Sequence, residues 1–436
     1  MLVTVATLAV ARDSLRAQSV SVMAQAIPLV TRADPTATRS ALTEGYLSQP
    51  VVMTHASWSA LRAVATLDFE GLTLDRGELS TGASGEGYVD RRHPHAYVHE
   101  LLAGAETQRK SWGASLFAGR GFAPFGSDDP MMRPFEKYPT NHHLAQILER
   151  AVVVGAVRAG PAIAEFGTFD GDETAGPATA PNYSRFGDSW SSRLTLVPLA
   201  HAELSASLAN VTSPEVRVGN GLDQRKTSVV ARYSRDAANS WRYAFLEWAR
   251  TTDRDRGAPV TTLTSWLGEG ALCRGGVVVS GRVERTDRPE EEPLLDPFRS
   301  PRPPADLSNL GVSRWTTLTA SLSPPRIGTS FASARPFIEV EHLSAKPGNP
   351  PGLFDARLRY GARTMWMLSV GVRLRAGQMH DRMGRYGAAV PLAARSDSAN
   401  SNAMPGMPDM PGMSHEPRSA MPGMSMTHLA DTRCRL

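Results

Sequence analysis

Alternation of apolar and polar residues is the dominant pattern in this chain. It is clearest at 194–209, 315–322 and 368–375, where every second residue is apolar. Successive side chains of a strand point to opposite faces, so each stretch predicts a strand with one apolar and one polar face. About sixteen such segments, around ten residues long, are predicted at 20–30, 45–56, 61–74, 97–107, 111–120, 148–157, 161–169, 189–198, 201–211, 226–235, 239–250, 260–270, 275–285, 314–323, 332–343 and 364–376.

The predicted connections alternate between long and short. Tight turns, such as Ala159-Gly160 and the one at Pro198, separate the long loops. Transmembrane barrels have short periplasmic turns and longer extracellular loops, and a tilted strand of about ten residues crosses a bilayer. The predicted long loops are 31–44, 75–96, 121–147, 170–188, 212–225, 251–259, 286–313 and 344–363.

These patterns predict an all-β fold, a transmembrane antiparallel up-and-down β-barrel of about 16 strands. No stretch has the roughly 18–20 uncharged apolar residues of a membrane helix. A sheet in hydrocarbon must close on itself to satisfy its backbone, and its lumen face then accepts polar side chains. An even strand number places both termini on the periplasmic side. The alternative is a large secreted β-protein; a propeller is disfavoured because no blade motif repeats.

Composition and charge add little to this prediction of the fold class and exclude few kinds of partner. The 37 Gly and 32 Pro punctuate the chain often, which suits many short strands. The net charge of +4 is small, and the basic residues are scattered, so we expect no nucleic-acid partner. Cys273 and Cys434 lie far apart, make no zinc-type spacing and predict no disulfide framework.

The N-terminus resembles an export signal. Residues 1–11 are mostly apolar, and Ala17 is small enough for a cleavage site. The basic n-region is missing, so residues 1–19 are predicted to be an incomplete signal peptide, with a disordered leader as the alternative.

The C-terminal tail, residues 378–436, is rich in Met, Pro, Gly and Ser, and predicts a disordered segment. Its MPGM motif occurs three times, with histidines interspersed. Thioether sulfur favours Cu(I), and imidazole binds copper in both oxidation states. We therefore predict copper ions as ligands of the tail, against the alternative of an incidental low-complexity linker. The predicted metal ligands are Met404, Met407, Met410, Met413, His415, Met421, Met424, Met426 and His428.

Histidines also cluster at two predicted loops. His93, His95 and His99 lie in DRRHPHAYVHE, and His142 and His143 close the next long loop. The two loops are neighbours across a hairpin, so a joint metal site is geometrically allowed. Adjacent histidines point apart on a strand and could share an ion only in a turn. The favoured interpretation is that these groups pin the loops to the lumen wall; metal binding is the second.

No enzyme signature is present, so we expect no catalytic activity. The chain has no GxSxG, HExxH or P-loop motif. Asp128 and Asp129 have the character of loop-turn residues. A barrel-borne hydrolase using His142 or His201 with a nearby Ser is the least favoured alternative.

Several segments resemble a known family. They are DRRHPHAYVHE, GFAPFGSDDPMMRPFEKYPTNHH, GTFDG, FGDSWSSRLTL, ANSWRYAFLEWAR and GRVERTD, spread over about residues 45–345. They are similar to uncharacterised bacterial outer-membrane barrel proteins associated with copper and heavy-metal resistance loci. His93, Pro94 and His95 match an RHPHD-type motif, in which Ala96 replaces the acidic residue, and His142 and His143 match its paired histidine. The resemblance implies location and metal context, without an assigned reaction.

The sequence therefore predicts a signal at 1–19, an outer-membrane barrel at 20–377 and the tail at 378–436. The expected function is a porin-like channel or metal handling in copper tolerance; the alternative is a general diffusion porin. Expected partners are outer-membrane lipid, metal ions or small solutes, and the barrel assembly machinery. Outer-membrane barrels usually end on a terminal aromatic residue, which this chain lacks; either Tyr386 with Gly387 supplies an internal equivalent, or assembly works differently.

Overall fold

The computed structural model describes residues 19–35, 40–73, 96–172, 174, 177–214, 221–237, 240–291, 309–329, 331–348, 355–377, 382–391 and 434. Sixteen strands of one antiparallel sheet form the wall of a barrel, and a further two-residue strand lies in a turn. Each wall strand pairs with its neighbours along the chain, and the last pairs with the first, for example Val30 with Val370. The predicted up-and-down barrel is confirmed.

The strands are β1 (Ser19–Asp34), β2 (Leu42–Trp58), β3 (Leu61–Asp68), β4 (Val98–Gln108), β5 (Trp112–Gly121), β6 (Arg150–Ala159), β7 (Ala162–Phe169), β8 (Ser189–Leu199), β9 (Ala202–Val211), β10 (Asp223–Ala237), β11 (Ser240–Asp255), β12 (Ala258–Arg274), β13 (Val277–Glu291), β14 (Asn309–Ser323), β15 (Ile327–Gly328), β16 (Ala332–Pro347) and β17 (Thr364–Gly377). The short helices are α1 (Glu70–Thr73), α2 (His142–Ala145) and α3 (Ala356–Tyr360). Of the helices described, none is long and apolar enough to cross a membrane.

The two faces of the wall are inverted relative to a soluble protein. On β14, Leu318 and Leu322 point outward and are exposed, whereas Trp315, Thr317 and Ser321 point inward and are buried. The same inversion on β8, β9 and β17 exposes Leu194, Leu204, Leu368 and Leu374 and buries Arg193, Ser205, Ser369 and Arg373. An apolar exterior around a polar lumen is the arrangement of transmembrane barrels.

Exposed aromatic side chains lie near both ends of the barrel. Trp112 and Phe331 are exposed at one end, and Trp190 and Trp366 at the other. Transmembrane barrels carry aromatic girdles of this kind at the two membrane–water interfaces, because these rings tolerate a half-polar environment.

The two ends of the barrel differ in their connections. β1 begins, β17 ends and most of the short turns lie at one end, which we call the short-turn end. One predicted long loop, 251–259, is wrong. β11 and β12 extend through it and join at Arg256-Gly257, where both residues have positive φ (47° and 86°). Two central residues with positive φ make a tight hairpin whose twist matches that of its strands.

The longest described loop folds into the barrel. This segment, residues 122–149, joins β5 to β6, and we call it the lumen loop; nearly all of its described side chains are buried. Its bonds to the wall include Gly126 N–Ser207 Oγ (2.9 Å), Ser127 Oγ–Glu247 Oε2 (2.9 Å), Lys137 Nζ–Glu341 Oε2 (3.1 Å), Thr140 N–Glu284 Oε2 (2.7 Å) and Arg373 Nε–Glu136 Oε2 (2.8 Å). The bonded wall residues lie on β9, β11, β13, β16 and β17, so the loop spans the lumen.

A second segment fills the lumen beside this loop. Residues 382–391, which we call the plug segment, follow β17 and are almost all buried, so the packed structure extends past the predicted boundary at 377. Tyr386 Oη donates to Glu100 Oε1 (2.8 Å) and accepts from Phe122 N (2.9 Å). Tyr386 therefore lies inside the lumen and not on the wall, and its role as an internal assembly signal stays a prediction.

A disulfide ties the end of the chain to the barrel. Cys434 is bonded to Cys273 on β12, with a Cα–Cα distance of 5.6 Å. The sequence predicts no disulfide framework and gives no sign of this single bridge, which the structure shows. The two cysteines are 161 residues apart in sequence, and sequence spacing gives no information on a pairing that only the closed barrel brings together.

Thiol labelling checks this bond. Unfolded protein from an oxidising compartment is expected to react with no maleimide before reduction and with two equivalents after it. Cys434→Ser should show one reactive thiol in both conditions, since Cys273 is then unpaired. Labelling of two thiols in the unreduced wild type would contradict the assignment.

Candidate functional site

The strongest candidate site is a buried cluster of two histidines and one aspartate within the lumen. Nε2 of His99 and Nε2 of His142 each lie 3.6 Å from Oδ2 of Asp129. All three side chains have 0% exposure. They come from three separate segments: β4, the first part of the lumen loop, and α2 within that loop. We call them the His–Asp–His cluster.

His99 is oriented by a carboxylate on its other nitrogen. Its Nδ1 lies 2.7 Å from Oε1 of Glu149, the residue before β6, and the same oxygen accepts from Ala96 N (2.7 Å). Phe122 packs edge-on against the imidazole, with the ring centroids 5.0 Å apart. A carboxylate at Nδ1 holds the tautomer and the direction of Nε2.

Asp129 is positioned by the backbone of its own loop. It precedes the 3-10 turn Pro130–Met132, and its Oδ1 accepts a hydrogen bond from Met131 N (2.8 Å). This cap uses one carboxylate oxygen and directs Oδ2 at the two histidines. Among the described residues, no donor makes a hydrogen bond to that Oδ2.

His142 lies at the start of α2 and stacks on an aromatic ring. Its imidazole is parallel to the Tyr138 ring, with centroids 5.0 Å apart and planes 7° from parallel. Tyr138 Oη donates to Glu70 Oε2 at 3.4 Å. Burial, and then the charges of Glu70 and Asp68, raise the pKa of Tyr138 well above its ordinary value, so the hydroxyl keeps its proton.

The other predicted ligands lie outside the described residues. This holds for His93, His95, the His143 side chain and the tail ligands Met404, Met407, Met410, Met413, His415, Met421, Met424, Met426 and His428. His99 and His142, one from each of the two histidine-bearing segments, both lie beside Asp129 of the lumen loop, and metal binding by these loops stays a prediction. His142 is helical, so the strand geometry considered for it and its neighbour does not apply.

Asp128, the neighbour of Asp129, locks the plug segment to the lumen loop. Its carboxylate pairs with Arg382 and Arg385 of the plug segment and with Arg232 of β10. Burial alone would raise the Asp128 pKa, but the charges of Arg382, Arg232 and Arg385 outweigh it and hold the pKa below its usual range. The carboxylate therefore stays ionised between the three guanidinium groups.

Sequence reasoning missed the two aspartates and Glu149. The GSDDP segment was assigned to a turn, which is correct locally because Asp129 caps one. This turn lies inside the filled lumen, so its carboxylates are buried. A buried carboxylate requires cationic or hydrogen-bonding partners. That burial appears only once the barrel is closed.

Among the described residues, no group of three or more His, Cys, Asp or Glu side chains could hold a metal ion. The His–Asp–His cluster is therefore a buried polar cluster, in which two histidines lie beside carboxylates.

No family model and no curated protein matches the chain. Similar solved structures include an anion-selective porin from Comamonas acidovorans, at 13% identity and a TM-score of 0.49, covering 83% of this chain and 99% of that chain. OmpT, an outer membrane protein of Vibrio cholerae, gives 10% and 0.46 over 83% and 99%. The outer membrane protein OpdK from Pseudomonas aeruginosa gives 8% and 0.39 over 83% and 100%.

Proposed function

We propose that this chain is an outer-membrane barrel with a filled lumen that handles transition-metal ions at the membrane, and is not an open diffusion porin. The observation that carries the proposal is that two segments, the lumen loop (122–149) and the plug segment (382–391), both lie buried inside the barrel. An open porin needs a water-filled passage, whereas barrels with other functions carry loops or plugs inside.

The outer-membrane location is supported by the surface of the barrel. Its exterior is apolar and bordered by exposed aromatic residues, and its backbone hydrogen bonds close around the sheet. The Cys273–Cys434 disulfide fits an exported protein, because disulfides persist in oxidising compartments such as the periplasm. The short-turn end, with both ends of the barrel sequence, would then face the periplasm.

The closed lumen is tested by single-channel recording in planar bilayers. The wild-type protein is expected to give no steady conductance, since charged pairs hold both inserted segments to the wall. Stable open steps of a general porin would overturn the proposal.

The metal part of the proposal is supported by the tail. Its seven methionines and two histidines lie between Pro391 and Cys434, which are both held at the barrel. Pro391 lies beside the turn residues Gly160 and Pro198, at the short-turn end. Thioether ligands select Cu(I), so the tail would present copper ligands at the periplasmic mouth.

Copper tolerance of a deletion strain tests this role. Complementation with the wild-type chain is expected to restore tolerance. A chain in which the seven tail methionines are replaced by leucine should fail to do so, because leucine keeps the bulk and removes the sulfur. A control with seven tail Ser, Asn and Ala residues exchanged should behave as wild type. Full tolerance from the leucine variant would contradict the metal role of the tail.

A further inference from the structure

The outer face of the barrel carries a group of cations at the end opposite the short-turn end. They are Arg285 on β13, Arg314 on β14 and Lys346 on β16, which are neighbouring strands of the wall. Thr316 and Ser344 lie beside them, and we call these five residues the basic patch. We propose that the basic patch binds the phosphate group of an anionic membrane lipid.

The strand register brings the five residues together. Arg314 is paired directly with Lys346. Arg285 is paired with Thr316, which is paired in turn with Ser344. Neighbouring strands lie about 4.8 Å apart, and residues two apart along a strand about 6.6 Å apart, so the five Cα atoms lie within roughly 12 Å. The long side chains of the three cations can therefore reach one phosphate group, with two hydroxyl donors between them.

The basic patch lies on the lipid-facing side of the wall. Alternate residues of a strand share a face. Arg285 thus shares the face of Val283, and Lys346 that of Val340, which are 57% and 37% exposed in the apolar exterior. Arg285 and Lys346 are exposed as well, and the Arg314 side chain is 38% exposed. The patch therefore continues the apolar exterior toward the rim.

The basic patch has an excess of positive charge. Arg314 is paired with the carboxylate of Asp287, with Nε 2.6 Å from Oδ1. Within the described residues, Arg285 and Lys346 form no ion pair. The register also places Arg314 directly opposite Lys346, and like charges in that position repel each other. An anion between them replaces this repulsion by attraction, and the arginine guanidinium matches the geometry of a phosphate.

Two tryptophans place the basic patch at the depth of lipid headgroups. Trp266 is paired directly with Arg285 and is 60% exposed. Trp366 is 55% exposed and packs on His342, with ring centroids 4.5 Å apart, and His342 is two residues before Ser344 on β16. Exposed tryptophans of membrane proteins lie at the membrane–water interface, at the level of the headgroups.

Cations do not accompany every interface tryptophan of this barrel. Trp190 on β8 is also exposed on the outer face at the same end. Its paired neighbours are Thr168 on β7 and Asn210 on β9, which are both neutral. The basic patch is therefore a local feature of β13, β14 and β16 and not a property of the whole rim.

The surface next to the basic patch favours a lipid over a free anion. Val283 and Leu318 are exposed immediately toward the middle of the wall, where acyl chains pack. A lipid in contact with them holds its headgroup at the cations, and basic clusters at a membrane surface attract anionic lipids. The inference goes beyond the proposed function: it needs the location in the outer membrane and no metal handling.

Native mass spectrometry of the full-length protein in a non-ionic detergent tests the proposal. Wild type is expected to retain phosphatidylglycerol, and to retain less phosphatidylcholine with the same acyl chains, because that lipid has no net charge. The double variant Arg285→Gln/Lys346→Gln should weaken phosphatidylglycerol binding by about 30-fold, since each cation near an anionic surface contributes about a factor of five. The matched control is Arg242→Gln/Arg274→Gln, which removes two exposed cations from β11 and β12 at the short-turn end and should bind as wild type.

Three results would overturn the proposal. An equal loss of phosphatidylglycerol in both double variants would attribute binding to the net charge of the protein. Equal retention of the two lipids by wild type would show that acyl chains, and not the headgroup, decide binding. A dimer that disappears in Arg285→Gln/Lys346→Gln would show that a second copy of the chain occupies the patch. Heat-modifiable gel migration confirms that each variant is folded, and none of these readouts depends on copper tolerance or conductance.

Discussion

Replacing Asp128 by asparagine is expected to lower the free energy of unfolding by about 3–5 kcal/mol, the cost typical of removing one partner of a buried ion pair. Asparagine has nearly the same shape, so packing is kept while one charge is lost. The three guanidinium groups of Arg232, Arg382 and Arg385 then lose their common anion. Urea unfolding in detergent, followed by tryptophan fluorescence, measures the change.

The effect of Asp128→Asn should depend on pH. The folded-state pKa of Asp128 lies below its unfolded value of about 3.9, so its contribution is present above that pH. The difference in stability between the wild type and the variant should begin to shrink below about pH 4, the unfolded pKa, and disappear only once the pH has fallen through the lower folded pKa. Asp287→Asn is the matched control. Its partner Arg314 is about 38% exposed, so a loss below about 1 kcal/mol is expected. An equal loss of unfolding free energy in both variants would refute the role of Asp128 in holding the plug segment to the lumen loop.

Substitution of Gly126 by alanine is expected to displace the lumen loop. A Cβ at this position would lie 1.8 Å from the carbonyl oxygen of Ala145, and the backbone has a φ of +67°. Overpacking and an unfavourable φ together predict a loss of about 2–4 kcal/mol. Ala145 belongs to the short helix within the lumen loop, so displacement of the loop should also produce conductance steps in planar bilayers, and urea unfolding in detergent measures the loss of stability.

Gly257→Ala separates the effect of overpacking from that of an unfavourable φ. Gly257 also has a positive φ of +86°, but a Cβ there meets nothing within 4 Å. Only the backbone penalty of roughly 1 kcal/mol remains. If both variants lost the same stability and Gly126→Ala showed no conductance in bilayers, the close approach of the lumen loop to Ala145 would be disproved.

The strands of the barrel wall could be predicted because the alternation of side chains is a local property of each strand. Each strand places alternate residues on opposite faces, and the alternation in β14 and β17 survives into the structure residue by residue. The prediction of a loop at 251–259 is wrong because the alternation of apolar and polar residues stops before the strands do. Its Thr, Asp and Arg residues look like a loop, yet they are strand residues beyond the apolar band, where both faces can be polar.

The contents of the lumen were not predictable in the same way. His99 and His142 were selected by residue type, but the sequence gives no reason for them to meet at Asp129 rather than lie on separate loops. Their meeting depends on how the lumen loop crosses the closed barrel. The plug segment was missed because its ten residues have no period, and its burial comes from pairing Arg382 and Arg385 with carboxylates that are far away in the chain.

The disulfide limits how far any cargo held by the tail can travel. Residues 392–433 lie between Pro391 and Cys434, which makes a stretch of 42 residues fixed at both ends to the same rim. Its midpoint, about 21 residues from either anchor, reaches at most roughly 70 Å even when fully extended. Under the proposed function, an ion bound there would stay within this distance of the barrel. A periplasmic acceptor would then have to approach the membrane to receive it.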